Sequence, residues 1–248
     1  MTSVELDAFY QAEYRQLYQG SQEPSAKDLT IQQSRAQVLV EFIRPAVSDV
    51  LRHLDIGCSA GLLLAQTQKV YACQPVGIEP GEAYRQAAAR HGLTVYPTLQ
   101  AVENSGEARF DLVSLAHVLE HLPDPIGYLV NLRRNWLSSN GWLLIEVPNL
   151  YGHDCFEIAH LISYSPHTLS QVLAQAGFQV VRLRVHGQPR SSILPLYITA
   201  LAKPSPMSTA NQPIPEQGVR RKRRLAIFRR SLQEHLFPSK AWLRISEG

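Results

Sequence analysis

The feature that most constrains this chain is the stretch His53-Leu-Asp-Ile-Gly-Cys-Ser-Ala-Gly61, where a short apolar run passes straight into a turn holding Gly57 and Gly61 and then into a helical pattern from Leu62. Parallel strands need a long crossover, usually a helix, so a strand that feeds a helix through a glycine turn points to a parallel sheet. Glycine admits left-handed backbone and close approach of a ligand, and the first turn of a helix presents N–H groups without intrahelical partners. The turn that sets the fold class is therefore also a candidate binding site.

The same alternation recurs downstream. Apolar runs at 50–56, 76–78, 94–96, 110–115 and 142–147 read as strands, the last after the turn Ser139-Asn140-Gly141. Between them, 62–68, 82–91 and 125–137 read as helices, the second closed by Gly92. Two helical patterns, 4–18 and 29–43, precede the first strand, and Pro45 stops the second. Ser165-Pro166 opens a further helix that ends at Gly177. The runs 178–185 and 193–202 follow with only the turn Gly187-Gln188-Pro189 between them, the pattern of an antiparallel hairpin. The expected fold is α/β: a doubly wound, mainly parallel, seven-stranded Rossmann-like sheet with an antiparallel C-terminal hairpin and N-terminal capping helices. Three regions are expected: a helical cap over 1–45, the α/β domain over 46–203, and a linker with a basic tail over 204–248.

Composition narrows the function classes. The chain has 248 residues, no run of 18 apolar residues, and no basic start followed by an apolar block, so neither a transmembrane segment nor a secretory signal is expected. Its three cysteines, Cys58, Cys73 and Cys155, form no Cys-x-x-Cys pair, which argues against a disulfide framework or a structural zinc site and for a reducing cytoplasm.

Three chemistries compete for the glycine turn. A dinucleotide fingerprint would need glycine at 59 and 62, which hold Ser59 and Leu62. Gly57-Cys58-Ser59-Ala60-Gly61 matches the nucleophile elbow of an α/β-hydrolase, with Ser59 as nucleophile, yet that fold places strands upstream where only helical patterns occur here. The third reading is a nucleoside-binding turn on the first strand, with Glu79 ending the second strand as a carboxylate able to accept both ribose hydroxyls.

The segments "HLDIGCSAGLLL", "VGIEPGEAYRQAA", "FDLVSLAHVLEHLPDPIGYL", "GWLLIEVPN" and "HTLSQVLAQAGFQVV" occur in that order. Their succession resembles the motifs of class I S-adenosylmethionine-dependent methyltransferases over roughly residues 30 to 203. The resemblance implies S-adenosyl-L-methionine as cofactor. It implies that Asp55, Gly57, Cys58 and Gly61 line the methionine part, Glu79 and Pro80 the ribose, and Leu99 the adenine, with His117 near the sulfonium. Ser59 stands where that family usually has glycine, which the turn tolerates if the φ at Ser59 is negative. Loss of cofactor binding, leaving a binding module on the same fold, is the third function class.

Histidines supply the other candidates. His117-x-x-Glu120-His121 spells an inverted zinc-protease pattern, but Pro123 limits the helix to about one turn and the motif brings no third ligand, so no metal is expected. After the fifth strand come Glu146, His153, His160, Tyr164 and His167, where acceptors sit at the carboxyl edge of a parallel sheet. The region resembles that of sugar methyltransferases in His160, with Ala159 in place of their Glu and Tyr164 one residue late. His160 and His117 are the catalytic candidates for a small-molecule or glycan acceptor, and His167 reads as helix-end polarity.

Charge is unevenly spread. Residues 203–248 hold 10 basic and 3 acidic side chains, a balance of +7 in a chain whose total is +3. Over 219–237, Leu225, Phe228, Leu232 and Leu236 interleave with Arg220-Arg-Lys-Arg-Arg224 and Arg229-Arg230 as a basic amphipathic helix. An anionic membrane surface or a protein partner suits it, with a merely solvated, disordered tail as the plain alternative; without an aromatic stacking platform or a recognised nucleic-acid module, nucleic acid ranks below the first two. The N-terminal Tyr10, Tyr14 and Tyr18 suggest a lid over the cofactor.

Overall fold

The computed structural model describes residues 23–157, 159–205 and 212–244, so the helix expected over 4–18 and its tyrosine lid lie outside the described residues. The chain divides into one compact unit that ends at Ala108 and a second that spans Arg109–Arg244.

In the first unit, α1 (Ala26–Ile43) starts where Ser25 Oγ accepts the Asp28 backbone N–H and the Asp28 carboxylate accepts from Ser25, a reciprocal cap that satisfies two donors the helix cannot. There follow β1 (Arg52–Ile56), α2 (Leu62–Tyr71), β2 (Gln74–Ile78), α3 (Glu82–Arg90), β3 (Thr94–Tyr96) and α4 (Leu99–Asn104). The strands pair in parallel in the order β3-β2-β1, with Leu54 opposite Val76 and Ile78 opposite Tyr96. β1 and β2 are buried along almost their whole length, the pattern of strands covered on both faces. Two glycines make close packing possible. A Cβ on Gly61, where φ is +78°, would stand 2.3 Å from Leu93 Cδ1, and one on Gly77 would stand 2.6 Å from Cys58 Sγ. The Cys58 thiol thus fills the space that Gly77 leaves, in a cluster with Leu64, Ala88 and Leu93.

In the second unit β4 (Phe110–Ala116) leads to a single 3-10 turn (Leu119–His121), α5 (Pro125–Asn131) and β5 (Leu137–Pro148). Then come α6 (Pro166–Gln175), β6 (Phe178–His186), β7 (Tyr197–Pro204), α7 (Val219–Leu236) and α8 (Pro238–Ala241). β4 and β5 are parallel, and β7 is antiparallel to both β5 and β6, so the expected C-terminal hairpin is present. Seven strands in all make the mixed sheet of a Rossmann-like fold.

Local departures from the sequence expectation have identifiable causes. The helix expected over 125–137 stops at Asn131 and widens to a π turn, Leu132–Trp136. The turn expected at Ser139-Asn140-Gly141 is absorbed into β5: Phe110 pairs with Leu137 and Leu112 with Trp142, so the intervening residues bulge out of register. The strand expected from 193 begins at Tyr197, because Pro195 has no N–H and the carbonyls of Pro195 and Leu196 are taken by Asn149 and His153.

The basic helix α7 buries none of its residues, yet it is tied down within the second unit. Glu216 accepts from Tyr151 Oη at 2.7 Å, from Ser165 Oγ and from Lys222 Nζ at 2.9 Å. Burial raises the Glu216 carboxyl, but these three bonds outweigh it and bring it down to about 2. Arg223 donates to the His153 and Asp154 carbonyls at 3.2 Å, and Arg230 to the Gly152 carbonyl at 2.9 Å.

Candidate functional site

The first unit carries the glycine turn. Gly57, Ser59 and Gly61 all have positive φ, +72°, +54° and +78°. The condition set for Ser59, a negative φ, is not met: the strand must reverse into α2 within five residues, and that geometry imposes left-handed backbone on the serine as on its glycine neighbours. The Gly57 and Cys58 N–H groups donate to the Ile78 carbonyl at 2.8 and 2.9 Å, which stitches the turn to the end of β2. Ser59 N–H donates to Glu79 Oε2 and Gly81 N–H to Glu79 Oε1, both at 2.9 Å. The Glu79 carboxylate, 3% exposed, is fixed from two sides by backbone donors, and both of its oxygens can also accept from a vicinal diol. A Cβ on Gly81 would meet Glu79 Oε1 at 2.9 Å, so a side chain there would press on the carboxylate.

The remaining candidates of this unit divide by what their side chains do. Asp55 is buried at the end of β1, opposite Gly77. The Cys58 side chain turns into the core, so only its backbone belongs to the turn. Pro80 offers its carbonyl to Arg85. Leu99, half-buried, opens α4 behind the cap that Thr98 Oγ1 makes by accepting the Ala101 N–H at 3.2 Å.

The second unit gathers the histidines. His117, also left-handed at φ +57°, follows β4, and its backbone N–H donates to the Glu146 carbonyl at 2.8 Å. Its ring lies between two buried carboxylates: Nδ1 is 3.3 Å from Glu120 Oε1 and Nε2 is 3.3 Å from Glu146 Oε1. Tyr197 meets the ring edge-on at 5.3 Å. Glu146, wholly buried on β5, also accepts from Thr199 Oγ1 at 3.0 Å and lies 3.3 Å from His186 Nε2. His160 lines a surface pocket with Asn149, His153, Phe156 and Ile162, and its Nε2 is 3.2 Å from Glu157 Oε2 and 4.0 Å from Glu120 Oε1.

Other histidines have structural bonds. His153 Nε2 donates to the Leu196 carbonyl at 3.0 Å, and burial lowers its pKa. His167 Nε2 donates to the Ile214 carbonyl at 2.7 Å, consistent with helix-end polarity. Sequence reasoning missed His186 and Thr199 as partners of Glu146 and missed Glu216 as an anchor. Glu146 meets His186 and Thr199, and Glu216 meets Tyr151, across 40 or more positions, for which no motif exists.

Comparison with known proteins bears on these arrangements. Residues 29–183 match the model of the "Methyltransferase domain" family. The ubiquinone biosynthesis O-methyltransferase of Cereibacter sphaeroides is 33% identical over 129 residues, covering 49% of this chain and 51% of that protein. That of a Ruegeria species is 35% identical over 125 residues, covering 46% and 49%. The chain thus spans about half the length of the curated relatives it matches. Among solved structures, a SAM-dependent methyltransferase from Archaeoglobus fulgidus aligns with a TM-score of 0.57 at 19% identity, covering 77% of this chain and 97% of that one. Magnesium protoporphyrin IX methyltransferase from Synechocystis aligns with a TM-score of 0.57 at 14% identity, covering 83% and 100%. The family match sets aside the hydrolase elbow at Ser59, and since it extends over more than half of the residues, from α1 into β6, the chain belongs to the methyltransferase-domain family.

Proposed function

We propose that the chain transfers a methyl group from S-adenosyl-L-methionine to a small-molecule or glycan acceptor. The observation that carries this is the Glu79 carboxylate, clamped by the Ser59 and Gly81 N–H groups at the end of β2 beside a turn of left-handed residues. That arrangement fits a ribose diol at the carboxylate and an extended chain along the turn. Asp55, Gly57, Cys58 through its backbone, Gly61, Pro80 and Leu99 complete the cofactor set on this reading, with His117 toward the reacting group. The cofactor, when bound, supplies a methyl group that is already electrophilic. The protein's task is then to place the acceptor atom in line and keep water out. His117 and His160 are the acceptor-side residues of the second unit.

Glu79→Ala removes two charge-assisted acceptors and is expected to weaken S-adenosylmethionine binding by roughly 1.5 to 3 kcal/mol, about tenfold or more. Isothermal titration calorimetry checks this. An unchanged affinity in a folded variant would take Glu79 out of the site.

The basic helix suits an anionic membrane surface. Among the described residues no helix is long and apolar enough to cross a membrane. We place the chain in the cytoplasm, touching that surface through α7, with a protein partner as the competing occupant.

A further inference from the structure

The two backbone donors that clamp Glu79 have to be aimed themselves, and the sheet does not do it for both. Ser59 N–H belongs to the turn that the Ile78 carbonyl stitches to β2. Gly81 N–H belongs to the segment Glu79-Pro80-Gly81, which leaves the sheet beyond the end of β2. Glu79 N–H still reaches the Tyr96 carbonyl at 3.0 Å, and Pro80 has no N–H to offer.

Arg85, one turn into α3, supplies what the sheet does not. Its Nη1 donates to the Glu79 carbonyl at 2.9 Å and to the Pro80 carbonyl. Two carbonyls drawn to one nitrogen fix both peptide planes, and the second plane is the one that reaches Glu79. A trans peptide is planar, with its C=O and N–H on opposite edges. Holding the Pro80 carbonyl on Arg85 therefore turns the Gly81 N–H the other way, where it meets Glu79 Oε1 at 2.9 Å. The base of this arm is fixed as well: the neighbouring Tyr84 is wholly buried against Ala60 of the glycine turn and Ala87. Arg85 also pairs with Glu82 through Nη2, but with side chains 20% and 66% exposed that pair stands in solvent and adds little. A guanidinium bond to a carbonyl is charge-assisted, and so is the stronger hold.

We propose that Arg85 is a positioning residue for the cofactor. Acting through the Pro80–Gly81 peptide, it aims the Gly81 N–H at Glu79 and so fixes the direction from which the carboxylate accepts the ribose diol. The role rests on the methyl-transfer reading, in which Glu79 holds the ribose. Arg85 acts on Glu79 and not on the cofactor, so its contribution exists only while the Glu79 carboxylate is there to receive the Gly81 donor. An ion pair with Glu82 that merely stabilised α3 would make no such demand.

A double-mutant cycle on the full chain tests this, with S-adenosylmethionine affinity read by calorimetry and folding by circular dichroism. Arg85→Met is expected to weaken binding about tenfold in the native background and less than about twofold in Glu79→Ala, the non-additivity of residues that share one network. Glu82→Gln removes the ion pair and spares both carbonyl bonds, and is expected to change affinity less than about twofold. Arg85→Gln, which keeps a side-chain donor, serves if Arg85→Met does not fold, and its loss is likewise expected only in chains that carry Glu79. Equal losses from the Arg85 substitution in both backgrounds, an unchanged affinity in folded Arg85→Met, or an equal loss from Glu82→Gln overturns the role. In each of those cases the wild type still binds S-adenosylmethionine and the methyl-transfer reading stands. A wild type that binds none removes that reading, and the role of Arg85 with it.

Discussion

At Ser59 a serine does what its position asks of a glycine. Left-handed backbone costs an L-residue roughly 1 to 2 kcal/mol, whereas glycine pays about 0.5 to 1 kcal/mol in extra chain entropy. The two nearly cancel, with a small margin for glycine. Ser59→Gly is therefore expected to leave stability unchanged or raise it by up to about 1 kcal/mol, in contrast to the usual sign of a glycine substitution. Cofactor affinity should hold, because the group that steadies Glu79 is the Ser59 N–H, which glycine retains. Urea denaturation and calorimetry on the pair of proteins check both statements, and a marked fall in affinity would mean that the hydroxyl itself meets the ligand. The residue types at 55–61 and 79 were legible because the chemistry of a turn and of a diol leaves few alternatives. The φ at Ser59 was not legible, since a single serine carries no signal of the backbone that its neighbours impose.

Among the elements, α7 was the one whose periodicity read most directly. Its extent, Val219–Leu236, falls almost on the expected 219–237. Its attachment was invisible, because Glu216, Arg223 and Arg230 act through isolated bonds to Tyr151, His153, Gly152 and Ser165 rather than through an apolar face. Those bonds engage Lys222, Arg223 and Arg230 inside the unit and leave Arg220, Arg221, Arg224 and Arg229 exposed beside Leu225, Phe228, Leu232 and Leu236. The exposed arginines are thus the ones to test. Reversing all four to Glu is expected to abolish binding to phosphatidylglycerol vesicles, with each arginine worth about 1 kcal/mol at low salt and the attraction fading as salt rises. Cosedimentation measures it. If the unaltered chain ignores such vesicles at low salt, a protein partner becomes the occupant of this helix.

For the molecule as a whole, the mainly parallel sheet and its antiparallel C-terminal hairpin were legible from the spacing of apolar runs, whereas the order of the strands and the carboxylate–histidine cluster were not. His117 and Glu120 share one local motif, but Glu146, His160 and His186 join them only because separate strand ends and loops converge, which no local spacing encodes. Acid stability is set elsewhere. His53 is wholly buried on β1 with Nδ1 2.8 Å from Thr67 Oγ1, and burial brings its pKa down to about 3. The unfolded chain, with an ordinary histidine near 6.5, binds the proton first, so stability is complete above about pH 6.5 and falls by about 1.4 kcal/mol per pH unit on the way down to about 3. His121 and His153, lowered by burial too, add to the same slope. His53→Asn is expected to flatten the dependence by about one proton in urea denaturation between pH 7 and 4. An identical slope in the variant would place the acid sensitivity outside His53. The packing of Cys58 against Gly77 gives the molecule a second property. Cys58 and Cys73 are buried in the first unit while Cys155 is exposed in the second, so a thiol reagent meets one sulfur at once and the other two only through opening. A Cβ on Gly77 would already stand 2.6 Å from the Cys58 sulfur, so an adduct on that sulfur has to displace its packed neighbours. Alkylation at Cys58 is therefore expected to lag that at Cys155 and to report how often the first unit opens.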